Sequence, residues 1–137
     1  MSRNEEPLAV ARRFGELLNV PVFLVDPDGS LLYYNPPAER VLGRTFDETG
    51  PVSASVWSRI FIPTDESGTP LLPETLPLVI AMTENRPAAR SMWISGIDNT
   101  RRHIQVAAFP ILGPEGKNLG SMAVFWELEG LIDDTRR

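Results

Sequence analysis

Apolar and polar positions along this chain follow a period that changes several times. Over residues 7–18, Leu8, Val10, Ala11, Phe14, Leu17 and Leu18 recur at helical spacing with Arg12, Arg13 and Glu16 off the stripe, which predicts one amphipathic helix. Pro7 suits its first turn, where a missing N–H has no intrahelical partner to lose. Residues 20–35 then read as two β-rich runs around Asp26-Pro27-Asp28-Gly29, a hairpin in which proline presets the turn and glycine accepts positive φ. Asn35 caps a short helix begun by Pro36 and Pro37 and stopped by Gly43. Residues 44–62 are mixed, and Trp57, Ile60, Phe61 and Ile62 suggest buried helical turns. The stretch 63–77 holds four prolines and reads as an irregular surface connection. A helix over roughly 75–85 follows, with Leu76, Val79, Ile80 and Thr83 on one side. Three strands close the pattern, 91–97, 101–112 and 119–128, joined by turns at Asp98-Asn99 and Gly113–Gly116. The strands are segregated from the helices, so the fold class is α+β with a five-stranded antiparallel sheet, short helices on one face and an N-terminal amphipathic helix.

Strand alternation adds a constraint. In 119–128, Ser121, Ala123 and Phe125 face one way and Met122, Val124 and Trp126 the other. In 101–109, Ile104, Val106 and Ala108 oppose His103, Gln105, Ala107 and Phe109. A sheet with one wet side shows one polar face, and neither face here is polar. Both need cover. The short helices serve one side; the N-terminal helix, a second copy of the chain, or both serve the other. Phe14, Leu18, Phe109, Met122, Val124 and Trp126 are therefore expected at a homodimer interface.

Composition narrows the chemistry. The chain has 137 residues, 42% apolar and 23% charged, the usage of one globular domain. A net charge of −5 argues against nucleic acid or a membrane surface as partner. The absence of cysteine removes disulfides, thiolate catalysis, cysteine-held metals and cysteinyl chromophores. His103 is the one histidine and cannot close a metal site, so it reads as a surface or interface residue and no metal is expected. Asp26 and Asp28 flank a turn, where carboxylates bond the local backbone, and do not read as an acid–base pair. No nucleophile has an evident neighbouring base, and the glycine turns lack the phosphate-loop form. Arg3, Glu5, Glu6, Arg12, Arg13 and Glu16 leave no apolar leader near the start, so a cytoplasmic location is expected.

Three stretches, in this order, resemble the PAS domains of bacterial sensor proteins: FLVDPDGSLLYYN running into PPAERVLG, then GTPLLPETLPLVIAM, then IDNTRRHIQVAAFPILGPEGKNLGSMAVFWE. The resemblance covers roughly residues 18–128 and divides the chain into an N-terminal flanking helix (1–19), a PAS-like domain (20–128) and a C-terminal linker or signalling-helix start (129–137). It implies a non-catalytic sensory module that dimerises and passes a signal to an effector domain, such as a histidine kinase or cyclase. Family geometry implies a pocket lined from the sheet by Phe23, Val25, Leu32, Tyr34, Ile94, Ile104, Val106, Ala123 and Phe125, with Trp57 and Val79 opposite. The departures matter as well. Flavin and coumaric-acid relatives attach through a cysteine, which is missing, so a covalent flavin or chromophore is excluded. Haem-binding relatives supply a histidine from the long helix, and residues 75–85 contain none, so haem is not expected. No cofactor is therefore predicted. A small apolar ligand, a non-covalent flavin or an empty core remain, and the last makes the chain a ligand-free dimerisation module.

Overall fold

The computed structural model describes residues 5–54, 62–95 and 101–128. The chain begins with helix α1 (Glu5–Leu17), strands β1 (Val22–Val25) and β2 (Leu31–Tyr34), and short helices α2 (Pro36–Leu42) and α3 (Phe46–Thr49). A 3-10 turn at Pro73–Thr75 leads into helix α4 (Pro77–Glu84). Strands β3 (Ala88–Ser95), β4 (Arg101–Leu112) and β5 (Asn118–Glu127) complete one sheet in the order β2-β1-β5-β4-β3. Each neighbouring pair is antiparallel.

Local chemistry accounts for the punctuation. In the β1–β2 turn the Asp26 carboxylate accepts from the backbone N–H of Asp28 (2.9 Å) and of Ser30 (3.0 Å), and Gly29 takes φ 88°. Thr45 and Glu48 form a capping box at α3. Asn85, in the left-handed region at φ 58°, ends α4.

Asn35 does more than cap. Its Oδ1 accepts from the N–H of Ala38 (3.2 Å), the cap bond, and also from that of Val22 (3.0 Å). Its Nδ2 donates to the carbonyls of Gly15 (3.0 Å) and Val20 (2.9 Å). The side chain is fully buried, so one amide joins the end of α1, the entry to β1 and the start of α2.

The sheet has two apolar faces. The concave one holds Phe23, Val25, Leu31, Tyr34, Met92, Ile94, Ile104, Val106, Ala108, Ala123 and Phe125. The other holds Val22, Leu24, Tyr33, Ile111 and Met122, covered by Leu8, Ala11 and Leu18. Leu32, expected on the concave side, packs with this second cluster instead. The pairing slips between Leu24 and Val25: Leu24 faces Tyr33, Val25 faces Leu31, and Leu32 is the extra residue. A bulge of this kind reverses simple alternation, and Leu31 takes the inner position.

The single stripe expected for α1 divides in two. Leu8, Ala11, Gly15 and Leu18 meet the sheet, and a Cβ on Gly15 would sit 3.2 Å from Val22 Cγ1. Val10, Phe14 and Leu17 are 65%, 53% and 83% exposed. At 3.6 residues per turn the two rows point about 110° apart, too wide for one flat surface to cover both. Ile62, expected to be buried, is 48% exposed. Trp57, Ile60 and Phe61, the Asp98-Asn99 turn and residues 129–137 lie outside the described residues.

Candidate functional site: an apolar cavity under the concave sheet

A cavity of about 390 Å3 lies between the concave sheet and the segment leading into α4. Its floor is Phe23, Met92, Ile104, Val106, Ala123 and Phe125. α4 contributes Pro77, Leu78, Val79 and Met82. Ile62, Pro63, Pro70, Leu71, Pro73 and Leu76 form a further wall, and Asp28, Gly29 and Ala54 close the hairpin side.

The proline-rich wall is held by backbone and by one arginine. Thr64 exchanges two hydrogen bonds with Trp93 of β3, donating at 2.8 Å and accepting at 2.9 Å. Its loop is shaped by the Asp65 carboxylate, which accepts from the hydroxyl and N–H of Ser67 (2.7 and 3.0 Å) and from the Thr69 N–H (3.0 Å). These donors, the Ser67 hydroxyl first, hold that carboxyl below its ordinary range. The Arg101 guanidinium donates to the carbonyls of Asp65 (2.9 Å) and Glu66 (3.1 Å) and lies 4.5 Å from the Trp93 ring centre. α4 is fixed at its other end. Asn118 of β5 donates to Asn85 Oδ1 (2.8 Å) and to the Ala81 carbonyl (3.3 Å), and its own Oδ1 accepts from Gly120 N–H (2.8 Å).

The expected pocket residues divide into groups. Phe23, Val79, Ile104, Val106, Ala123 and Phe125 line the cavity. Val25, Tyr34 and Ile94 belong to the same concave cluster without lining it. Leu32 is on the opposite face, and Trp57 lies outside the described residues. The Tyr34 hydroxyl is 2.8 Å from Thr49 Oγ1, and burial raises the phenol above its ordinary value. Its ring meets Phe23 and Phe46 edge-on, so this tyrosine serves the core. The reading of 63–77 as a plain surface connection missed a cavity wall. The available clue was its leucine content beside the prolines: Leu71 and Leu76 both turn inward.

On the other face, Met122 is buried beneath α1 and Leu18 is partly buried with it, so their own chain already covers them. Phe14 is exposed, Phe109 and Trp126 are each 37% exposed, and Val124 is half-buried. His103 stacks on Trp93 with ring centres 4.5 Å apart. Among the described residues no group of three His, Cys, Asp or Glu side chains could hold a metal. None of the described helices is long and apolar enough to cross a membrane.

No protein-family model matches the sequence, and no curated protein matches it. Solved structures do match. The PAS domain of Bordetella pertussis BvgS superposes with a TM-score of 0.63 at 16% identity, over 96% of this chain and 96% of that one. The PAS domain of a protein from Colwellia psychrerythraea gives 0.61 at 12% identity, over 88% of this chain and 96% of its own. The LOV protein of Rhodobacter sphaeroides gives 0.68 at 16% identity, over 90% of this chain and 68% of its own.

Proposed function

Because this chain has the PAS fold, we propose that it is a non-catalytic, cytoplasmic sensory module of the bacterial signalling type. In this reading the cavity takes up a small ligand or responds to a partner, and the flanking helices and a dimer contact pass the change to an effector domain. The observation that carries the reading is the position of the cavity relative to α1. Ala123 and Phe125 form cavity floor, and the alternate residues of the same strand, Met122 and Val124, pack in the cluster that α1 covers. A change at the floor is thus one strand thickness from the flanking helix. Asn118 ties β5 to α4 as well, so wall, floor and flanking helix share one strand. A ligand acts on such an assembly by favouring whichever packing of α1 its occupied cavity tolerates best.

The homodimer rests on the surface that α1 leaves open. Val10, Phe14 and Leu17 on the helix, with Phe109 and Trp126 on the sheet, are large apolar side chains exposed to solvent. A two-fold arrangement would bury the same patch on both copies. Net charge −5 favours an apolar or protein partner over nucleic acid.

Light scattering at tens of micromolar, together with hydrogen exchange of α1 with and without a cavity-filling ligand, tests this proposal. The expected result is a dimer that Trp126→Glu shifts toward monomer, and α1 amides whose protection changes when the cavity is filled. A monomer whose α1 exchange ignores the cavity's contents overturns it. A dimer whose cavity takes no ligand would favour the ligand-free dimerisation module.

A further inference from the structure

The two faces of the sheet are packed separately, yet one side chain belongs to both. Among the described apolar residues, Phe46 alone packs against the concave cluster and against the cluster under α1. It can do so because β2 is an edge strand. Its neighbours Tyr33 and Tyr34 point to opposite faces, and a ring placed beyond the edge can meet both. Phe46 meets each edge-on, with ring centres 5.3 Å from Tyr33 and 5.4 Å from Tyr34. Tyr34 in turn meets Phe23 at 6.4 Å, and Phe23 is cavity floor, 5.2 Å from Phe125. On the other face the Arg12 guanidinium of α1 lies 4.6 Å from the Tyr33 ring centre and 5.6 Å from that of Phe46. Contact thus runs without a break from the cavity floor to α1, around the edge of the sheet.

The anchorage of Phe46 suits it to carry a displacement. Its N–H donates to the Glu39 carboxylate of α2 (2.8 Å), and Thr49, three residues on, has its Oγ1 2.8 Å from the Tyr34 hydroxyl. The four residues of α3 are therefore tied to the concave face and shift as a unit when Tyr34 does. β5, the other path between cavity and α1, lies between β1 and β4 and pairs with both, so it moves only with its neighbours. Resting on the sensory reading of the cavity, we infer that Phe46 is the positioning residue that couples the cavity to α1. A displaced Phe23 and Tyr34 move its ring, and the ring sets how firmly Arg12 holds the helix.

The test is a double-mutant cycle on the full chain, read by hydrogen exchange. Val79→Phe fills the cavity from α4, across the sheet from α1, and Leu71→Trp, from the proline-rich wall, replaces it should the first not fold. Protection of the α1 amides 9–17 is divided by that of the β5 amides, so that a general loss of stability cancels. The filling variant is expected to change this ratio by about threefold or more when Phe46 is present. In a Phe46→Leu background, which keeps apolar volume without the ring, the change should fall below about 1.5-fold. Phe46→Tyr, which keeps the ring, should retain the full response, and Arg12→Ala should lower the ratio by about threefold. The inference is overturned if filling the cavity acts on α1 equally with and without the ring, which would assign the coupling to β5. It is also overturned if filling does not act on α1 at all, if Phe46→Tyr and Phe46→Leu behave alike, or if Arg12→Ala leaves the ratio unchanged. The neutral probe N-phenyl-1-naphthylamine, titrated into the wild type, separates these outcomes from a failure of the sensory reading. A probe that occupies the cavity without altering the ratio, beside a filling variant that acts through Phe46, refutes the sensory reading and leaves the route standing.

Discussion

Replacing Asn35 with alanine removes four hydrogen bonds at once. The Ala38 N–H loses its cap, and losses of that kind cost about 1 kcal/mol. The Val22 N–H and the Val20 carbonyl lose their side-chain partner, while the Gly15 carbonyl keeps the Leu18 N–H (3.2 Å). Each orphaned buried group costs about 1–3 kcal/mol, less wherever a water enters the vacated space. The combined loss is then about 3–5 kcal/mol, a large part of the roughly 5–15 kcal/mol typical of a domain. Urea unfolding followed by circular dichroism measures it. Asn35→Ser separates the two roles, because serine caps a helix as well as asparagine does yet is too short to span from Val22 to Gly15 and Val20. It should recover no more than the cap's share. A loss under about 1 kcal/mol for Asn35→Ala, or wild-type stability for Asn35→Ser, would show that the amide is only a local cap and that the reasoning is wrong.

Phe125→Ala and Val106→Ala, both on the cavity floor, should destabilise by about 2–5 and 1–3 kcal/mol, whereas Phe109→Ala on the open face should cost under about 1 kcal/mol in the same urea assay. Ser121 Oγ is buried with no hydrogen-bond partner among the described residues, so Ser121→Ala should leave the melting temperature unchanged or raise it, and a clear fall would reveal a partner. The Asp65 carboxyl titrates below its ordinary value of 3.8, so its stabilising effect on the 64–70 loop is present above that value and lost as pH falls through the lower, folded one. Protection of the Ser67 and Thr69 amides, taken as exchange relative to the intrinsic rate at the same pH, should therefore fall on acidification below about pH 4 in the wild type and be low at every pH in Asp65→Ala; pH-independent protection in the wild type would refute this.

The elements legible in the sequence were those whose causes are local. The Asp26 turn, the Asn35 cap, the Gly43 stop and the alternation of β4 and β5 each depend on residues a few positions apart, and the structure places them where the pattern does. The rest needed partners distant in the chain. Leu32 changes face because of how β2 meets β1, and nothing within LLYY announces that slip. Val10, Phe14 and Leu17 look like core residues until the sheet's width decides how much of α1 it can cover. The proline stretch is irregular as expected. It became a cavity wall because Thr64 pairs with Trp93 and Arg101 holds the loop, contacts from about thirty residues away.

The sheet order has a consequence for how the molecule is made. β5, the last strand synthesised, lies in the middle and pairs with β1, near the beginning, so Val22 waits for Val124 roughly a hundred positions later. On a ribosome the first hairpin emerges with neither its main neighbour nor the Met122 platform on which α1 rests. Contacts this far apart must close a long loop before any burial rewards them, which slows folding relative to a chain of local contacts. The β1–β2 hairpin and α1 would thus be the last parts to become protected, although they are the first to be translated. A chain stopped short of residue 118 would carry half a sheet with an open apolar edge.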